Sequence, residues 1–319
     1  MLTALTFAAA LVVSLLVTPI VRLFAHRYGL LDEPGARKVH EVPIPRLGGV
    51  AMAIAFGLAI GGATLADPGL GSTLGLRPNR APAILVGVGL LLAVGFIDDV
   101  RGMRAMVKLA WQVAIATIAW WIGLSVDQLF FPWGIVDLGS LSLPITVAWI
   151  VGVINAINLI DGLDGLAAAV VLTILGAFGL LAAADGVDPT LYIVAATMGA
   201  AAGFLAYNLH PASIIMGDTG SMVLGFVVAA VAISLTQDGV YPHAPWIPIV
   251  ALGVPLLDTV WAVIRRIARG DPVFLADRQH IHHQLLRLGL SQRDAMLGLT
   301  AVSAALAVLA VLLGRLDAR

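Results

Sequence analysis

Five aspartates fall in three short segments of a chain that is otherwise poor in charge. "FIDDVRG" carries Asp98 and Asp99, "NLIDGLDG" carries Asp161 and Asp164, and "MGDTGS" carries Asp218. Each segment lies directly against a long apolar run. Helix capping explains one such acid, because Asp and Asn are favoured N-caps and the neighbouring glycines relax turns. Five together resist that explanation, since like charges in a partly desolvated place repel unless a cation intervenes. Each would also cost up to roughly 3 kcal/mol if drawn toward a bilayer centre. Carboxylates in a chain without cysteine suit a hard cation. Magnesium, for which manganese can substitute, takes oxygen ligands and is usually held by one or two carboxylates plus waters and substrate phosphates. That donor chemistry points to phosphoryl transfer.

Two further segments supply positive groups. "LDEPGARKVHEVPIPRLGG" holds Arg37, Lys38, His40 and Arg46, and "ADRQHIHHQLLRLG" holds Arg278, His280, His282 and His283. Three histidines within four residues invite a zinc reading, but His282 and His283 are adjacent and would point apart on a helix, and no carboxylate lies at ligand spacing. Donation to phosphate oxygens beside Arg278 and a purely surface role are the other readings. Asn158 and Asn208 stand at helix ends, where an amide either caps the helix or hydrogen-bonds a base or sugar. Asp258 lies inside an apolar run and either pairs with a neighbouring helix or lines a site.

The elements that position these residues follow from composition. The chain has 319 residues, is 60% hydrophobic and only 12% charged, with a mean hydropathy of +0.99. A soluble domain carries about 25% charged residues, so this is an all-α integral membrane protein, read as one transmembrane domain over 1–319. Apolar windows between breakers predict about ten transmembrane helices, roughly 2–24, 48–65, 81–97, 105–124, 144–160, 165–184, 190–208, 219–236, 246–266 and 294–314. The first is read as a retained helix rather than a signal peptide, having no basic residue before it and no small-residue cleavage site. The connecting segments alternate between two faces. One face takes 25–47, 98–104, 161–164, 209–218 and 267–293, and 14 of the 18 Lys and Arg residues lie in or near these segments. The positive-inside rule makes that face cytoplasmic and turns both termini outward. All the chemistry-bearing segments above share it. Trp120, Trp121, Trp133, Tyr241 and Trp246 mark the opposite interface. The longest outer segment alternates apolar residues with turn formers and predicts a short hairpin. No internal repeat is found.

In this order the segments closely resemble the polyprenyl-phosphate N-acetylhexosamine-1-phosphate transferases, a glycosyltransferase 4 family. The resemblance runs from "DEPGARKVHEVPIPRLGG" through "DDVRG", "NAINLIDGLDGLA" and "MGDTGS" to "DRQHIHHQL". It implies a magnesium-dependent attack by a polyprenyl phosphate on the β-phosphorus of a UDP-amino sugar. The products would be a polyprenyl-diphospho-sugar and UMP, the first membrane step of cell-envelope polysaccharide synthesis, on the cytoplasmic face of a bacterial inner membrane. The resemblance implies that Asp218 ligates the metal, with Asp98 and Asp99 beside it. Asp98 would be the base or the group positioning the lipid phosphate, and Asp99 would support the metal. Asp161, Asp164 and Asn158 would line the nucleotide and sugar-phosphate pocket, with Asn208, Lys38 and His40 also on the substrate. Arg278, His280, His282 and His283 would bind diphosphate or sugar. A bent ninth helix, containing Asp258, would border a lipid groove. The implied partners are the UDP-sugar, the polyprenyl phosphate and the bilayer, without nucleic acid, and a homodimer is left open.

Within the family, "HIHH" preceded by "DRQ" favours an N-acetylglucosamine-type branch over the phospho-N-acetylmuramoyl-pentapeptide transferases. A transporter is the rival from another class, but transporter sites lie near the midplane in repeat-related halves, and these acids sit at one surface. A CDP-alcohol phosphotransferase is disfavoured because "DGLDGLAAAVVLTILG" lacks the arginine of that motif. The topology yields a direct expectation. Single cysteines placed beside Lys38, Asp99 and His282 should react with impermeant maleimide only from the cytoplasm, and those at the termini only from outside. Labelling of position 282 solely from outside would overturn the shared-face reading.

Overall fold

Backbone N–H and C=O groups find no water in a bilayer, so apolar runs of this length must close their hydrogen bonds as helices. A computed structural model describes residues 1–33, 42–67, 80–184, 189–237, 244–270 and 279–317. In it the chain is an all-helical polytopic membrane bundle. The helices are α1 (Leu2–Arg27), α2 (Gly48–Ala66), α3 (Arg80–Arg101), α4 (Ala105–Ile122), α5 (Ser142–Ile160), α6 (Leu166–Ala184), α7 (Thr190–Asn208), α8 (Gly217–Gln237), α9 (Trp246–Ala251), α10 (Gly253–Arg269), α11 (Ile281–Arg287) and α12 (Gln292–Asp317). Among the described residues, nine helices are long and apolar enough to cross a membrane.

The expected ninth span, 246–266, is instead the broken pair α9 and α10, interrupted at Leu252. Pro255 is the physical reason. It has no N–H to give the carbonyl of Ala251, and its ring crowds that carbonyl. Several helices also outrun their apolar windows. Asp98 and Asp99 lie in the last turn of α3, and Asp218 lies in the first turn of α8, rather than in connecting segments. Hydropathy marks where lipid ends, whereas a helix stops only where its end groups find other partners.

Helix α8 is the hub. Its sequence is apolar on every side, as a fully enclosed helix requires, and 94% of its apolar window is buried, against 22% for α4 and 28% for α1. It packs on α2, α3, α5, α6 and α7. Two glycines let neighbouring helices reach its first turn. A Cβ on Gly95 of α3 would lie 2.5 Å from Thr219 Cα, and one on Gly49 of α2 would lie 2.1 Å from Gly220 N. The segments entering α2 and α8 run side by side. Ile215 N–H donates to Pro45 O (2.9 Å), and Gly48 and Gly49 N–H donate to Ile215 O (3.0 Å) and Met216 O (2.9 Å).

At the far end, the expected hairpin forms from β3 (Gln128–Phe131) and β4 (Gly134–Asp137), paired antiparallel. A smaller ladder pairs β1 (Leu31–Asp32) with β2 (Ile44–Pro45). Gln237 closes α8 onto the larger hairpin by accepting Asp127 N–H (3.0 Å) and Gln128 N–H (3.1 Å) and donating to Gln128 O (2.7 Å).

Gly95→Val should therefore force α3 off the start of α8, at a cost of about 1–3 kcal/mol or more. Gly89→Val on the same helix meets open space and should be neutral. Thermal unfolding of the two variants in detergent decides this, and equal midpoints would refute the close approach.

Candidate active site

The five segments that the sequence assigns to one face converge at one end of the bundle. Asp99 is fully buried there and acts as the cap of a helix to which it does not belong. Its Oδ1 accepts Asp218 N–H (2.9 Å), and its Oδ2 accepts Thr219 N–H (3.0 Å) and the Thr219 hydroxyl (2.5 Å). No capping side chain precedes α8 locally, since Met216 and Gly217 come just before Asp218. A carboxylate at this N-terminus meets both the orphan N–H groups and the positive end of the helix dipole. Gly217 is required beside it. Its φ is +71°, and a Cβ there would sit 2.6 Å from Asp99 Oδ2. Arg46 completes the arrangement, 3.2 Å from Asp99 Oδ1 and 3.5 Å from Asp32 Oδ1.

Lys108, in the first turn of α4, lies between two of the expected acids. Its Nζ is 2.8 Å from Asp218 Oδ1 and 2.5 Å from Asp98 Oδ2. Asp98 Oδ2 is buried, and it touches the ammonium as an ion contact rather than as a well-aligned hydrogen bond. Asn158, on α5, donates from Nδ2 to Asp218 Oδ1 (2.7 Å) and to Ser221 Oγ (2.8 Å). Asp218 is thus held from three sides while keeping a partly exposed edge.

Asp161 caps the C-terminus of α5 and is left over. Among the described residues nothing donates a hydrogen bond to it. Burial, followed by the charges of Asp218, Asp99 and Asp164, holds its carboxyl well above the usual carboxylate range. Asp164 lies on the outer edge of the same turn, where its Oδ2 meets His210 Nδ1 (2.8 Å) and accepts Ala212 N–H (3.1 Å). Asn208 spends its amide on backbone, accepting Gly165 N–H (3.1 Å) and donating to Ile214 O (3.0 Å). Rather than capping its own helix, Asn208 ties the segment before α6 to the one before α8.

The histidines dock onto this turn from α11. Asp258 of α10 accepts Ile281 N–H (2.9 Å) and meets His280 Nδ1 (2.9 Å), which fixes the start of α11. His282 is buried against Gly162, where a Cβ would fall 2.3 Å from its Nε2. Burial, with the neighbouring His283 and His280, lowers the His282 pKa to about 3 despite the opposing charge of Asp258. His282 is therefore neutral at physiological pH. Lys38, His40 and Arg278 lie outside the described residues. Sequence reasoning assigned no site role to Lys108, Thr219, Ser221 or His210. Lys108 left a signal: it and Gln112 are spaced i, i+4 in an apolar span, and Gln112 is buried and accepts from Asn155 Nδ2 (2.7 Å).

Among the described residues, no group of three or more His, Asp or Glu side chains is arranged to hold a metal ion, which leaves the zinc reading of the histidines without geometry. A magnesium site completed by waters and substrate phosphates does not need three protein ligands. The donor set fits it. Among the described residues, Asp98, Asp99 and Asp218 are paired with Lys108 and Arg46, and no hydrogen bond or ion pair is made by the Asp161 carboxylate.

Comparison with known proteins decides the family. The family model described as "Glycosyl transferase family 4" matches residues 81–236. A "Probable undecaprenyl-phosphate N-acetylglucosaminyl 1-phosphate transferase" of Bacillus subtilis (strain 168) is 37% identical, over 96% of this chain and 84% of the relative. The chain belongs to glycosyl transferase family 4. A "Decaprenyl-phosphate N-acetylglucosaminephosphotransferase" of Mycolicibacterium smegmatis is 35% identical, over 92% of this chain and 78% of that protein. An "Undecaprenyl-phosphate alpha-N-acetylglucosaminyl 1-phosphate transferase" of Escherichia coli (strain K12) is 28% identical, over 91% and 78%. The protein is accordingly a multi-pass membrane enzyme of the sugar-1-phosphate transferase family. All three motif segments with aspartates fall within the matched region, which sets aside the transporter and the CDP-alcohol phosphotransferase.

The His282 environment gives a signed pH dependence. Its folded pKa of about 3 lies below the unfolded value near 6.5, so the unfolded chain binds the extra proton between them. The stability tied to a neutral His282 is fully present above pH 6.5 and is lost progressively as pH falls toward 3. His282→Gln should flatten the fall in melting temperature between pH 7.5 and pH 5. Parallel curves for wild type and variant would show that His282 is not buried neutral.

Proposed function

We propose that the protein transfers N-acetylglucosamine-1-phosphate from UDP-N-acetylglucosamine to undecaprenyl or decaprenyl phosphate at the cytoplasmic face of a bacterial membrane. The observation that carries this is the Asp98–Lys108–Asp218 contact beside Asp161, which has no partner among the described residues, at the end of apolar helices. A soluble nucleotide-sugar and a lipid-borne phosphate can meet only where water and hydrocarbon adjoin. The relatives' names supply the sugar and the lipid, and the clustering of Lys and Arg supplies the face.

In the reaction a phosphate oxygen of the lipid bonds to the β-phosphorus. The bond from that phosphorus to the bridging oxygen breaks, and UMP leaves with the electron pair. Lys108 lies where its ammonium can pair with phosphate oxygens, and Asp98 and Asp218 hold it there. The acceptor phosphate has a second pKa near 6 and is mostly dianionic at neutral pH, so orientation and charge neutralisation dominate over proton removal. On this geometry Asp98 is a positioning residue for Lys108. Asp99 is a positioning residue for Asp218, through the first turn of α8. Asp218 and Asp161 are the carboxylates that would hold magnesium, which when bound would neutralise charge on the diphosphate. Asn158 orients Asp218, while the turn carrying Asp164 and the histidine helix wall the sugar-nucleotide side.

Purified protein given undecaprenyl phosphate and a panel of UDP-sugars should release UMP fastest with UDP-N-acetylglucosamine. Chelation should stop turnover, and magnesium or manganese should restore it. Lys108→Met should cost about 10²-fold or more in kcat, with the fold retained. Full turnover in excess chelator would sink the metal assignment, and a preference for UDP-N-acetylmuramoyl-pentapeptide would move the protein to the other branch.

A further inference from the structure

At the end of the bundle away from the aspartates lies a cavity of about 400 Å³, between α5, α8, α9 and the β3–β4 hairpin. Phe131, Trp149, Ala232, Ile233, Trp246 and Ile249 are among its lining residues. Polar groups at the wall are already satisfied. The Trp149 indole N–H donates to Ala229 O (3.1 Å), and the Thr236 hydroxyl donates to Ala232 O (3.1 Å). A pocket walled by apolar side chains takes apolar ligands, and about 150 Å³ already admits a six-carbon ring. The aromatic wall is braced, with Phe131 stacked on Trp133 (4.9 Å between centroids) and tilted against Trp246 (6.0 Å).

The position of the cavity indicates what enters it. Asp218 and Thr236 are 18 residues apart on α8, about 27 Å at 1.5 Å per residue, so the cavity lies nearly a full bilayer core from the acids. The two ends are joined along one seam. α5 carries Ile145 near its start and Asn158 near its end, and it packs on α10. Between them α10 turns an exposed apolar row outward, with Leu257, Trp261 and Ile264. A stretched undecaprenyl chain is longer than the roughly 30 Å hydrocarbon core, so its phosphate at the acids leaves enough tail to reach the far side.

We infer that this cavity receives the distal isoprene units of the acceptor lipid, making it a chain-length sensor at the opposite membrane face from the chemistry. The inference rests on the proposed acceptor, a polyprenyl phosphate. Because lipid is as apolar as the cavity, transfer from one to the other is driven by packing rather than by the hydrophobic effect, and the selectivity it gives is modest.

The test fills the cavity and reads chain length. Ala232→Leu narrows it from α8, and Ile249→Trp narrows it from a half-exposed position where misfolding is not expected. With farnesyl phosphate and undecaprenyl phosphate as acceptors, wild type should show a KM about three- to tenfold lower for the long chain. Both variants should bring that ratio near one without changing kinetics on the short acceptor. An unchanged ratio, or equal loss on both acceptors, overturns the inference. In a second arm, an undecaprenyl phosphate with a photoreactive terminal unit should label peptides containing Trp149 or Trp246. Labelling by a photoreactive phospholipid that undecaprenyl phosphate does not displace would make the cavity a bilayer-lipid site and overturn the proposal. Absence of UMP release with either acceptor would reject the transferase reading, while the labelling arm would still decide the cavity.

Discussion

The carboxylate of Asp99 at the start of α8 is the interaction on which the rest of the site depends. Helix α8 runs through the centre of the bundle, and no residue just before it caps the N–H groups of its first turn. Asp99 supplies that cap from α3, and charge-assisted hydrogen bonds of this kind contribute about 1.5–3 kcal/mol each. In doing so it fixes the height and rotation of Asp218, the next residue along. Gly95, Gly49 and Gly217 are the spatial condition for it, because each lies where any side chain would push the two helices apart. Arg46 then balances the Asp99 charge and joins the entry of α2 to the same point.

Charge balance follows from that anchor. With Asp99 committed to the helix end, Lys108 is shared between Asp98 and Asp218, and Asp161 is left with three acids whose charges it feels and no donor among the described residues. A cluster so arranged is unfavourable by itself and becomes favourable when positive charge arrives. The substrates proposed here bring four or more phosphate oxygens and no cation of their own. A divalent ion entering with the diphosphate would therefore correct both imbalances. The strain of holding like charges together is characteristic of binding sites rather than of structural ion pairs.

The bundle was legible because a bilayer forces long apolar runs into helices, and nine of the ten spans expected from the sequence form as single helices, with boundaries shifted by a few residues. The break at Leu252 was foreshadowed by Pro255, and the hairpin by alternation between turn formers. Lys108 was harder to read for a physical reason. A basic residue near a helix end also serves to orient a membrane protein, and it was counted for that role only. Its inward direction shows only in three dimensions, through Asp98 and Asp218. Asn208 and Asp258 carried two readings each in the sequence. The structure shows Asn208 bonded to two loop backbones and Asp258 bonded to α11, and nothing in their local spacing could have distinguished these partners.

A division of labour emerges from hydrogen-bond satisfaction. Asp99, Asn208 and Asp258 each use both ends of their side chains on the protein, and each lies where two segments must be held together. Asp161 has no such partner among the described residues, and Asp98 and Asp218 share a single lysine ammonium that substrate phosphate could also claim. Polar groups buried with full satisfaction rigidify a site, whereas those left partly satisfied have affinity to spare for a ligand. The same sorting applies along the histidine helix. His280 is bound to Asp258, and His282 is packed neutral on Gly162, so the start of the histidine helix is fixed and one of its faces is packed against the turn that carries Asp161. Among the described residues, Lys108 is then the cation set between two of the acids, while Arg46 is committed to Asp99 and Asp32.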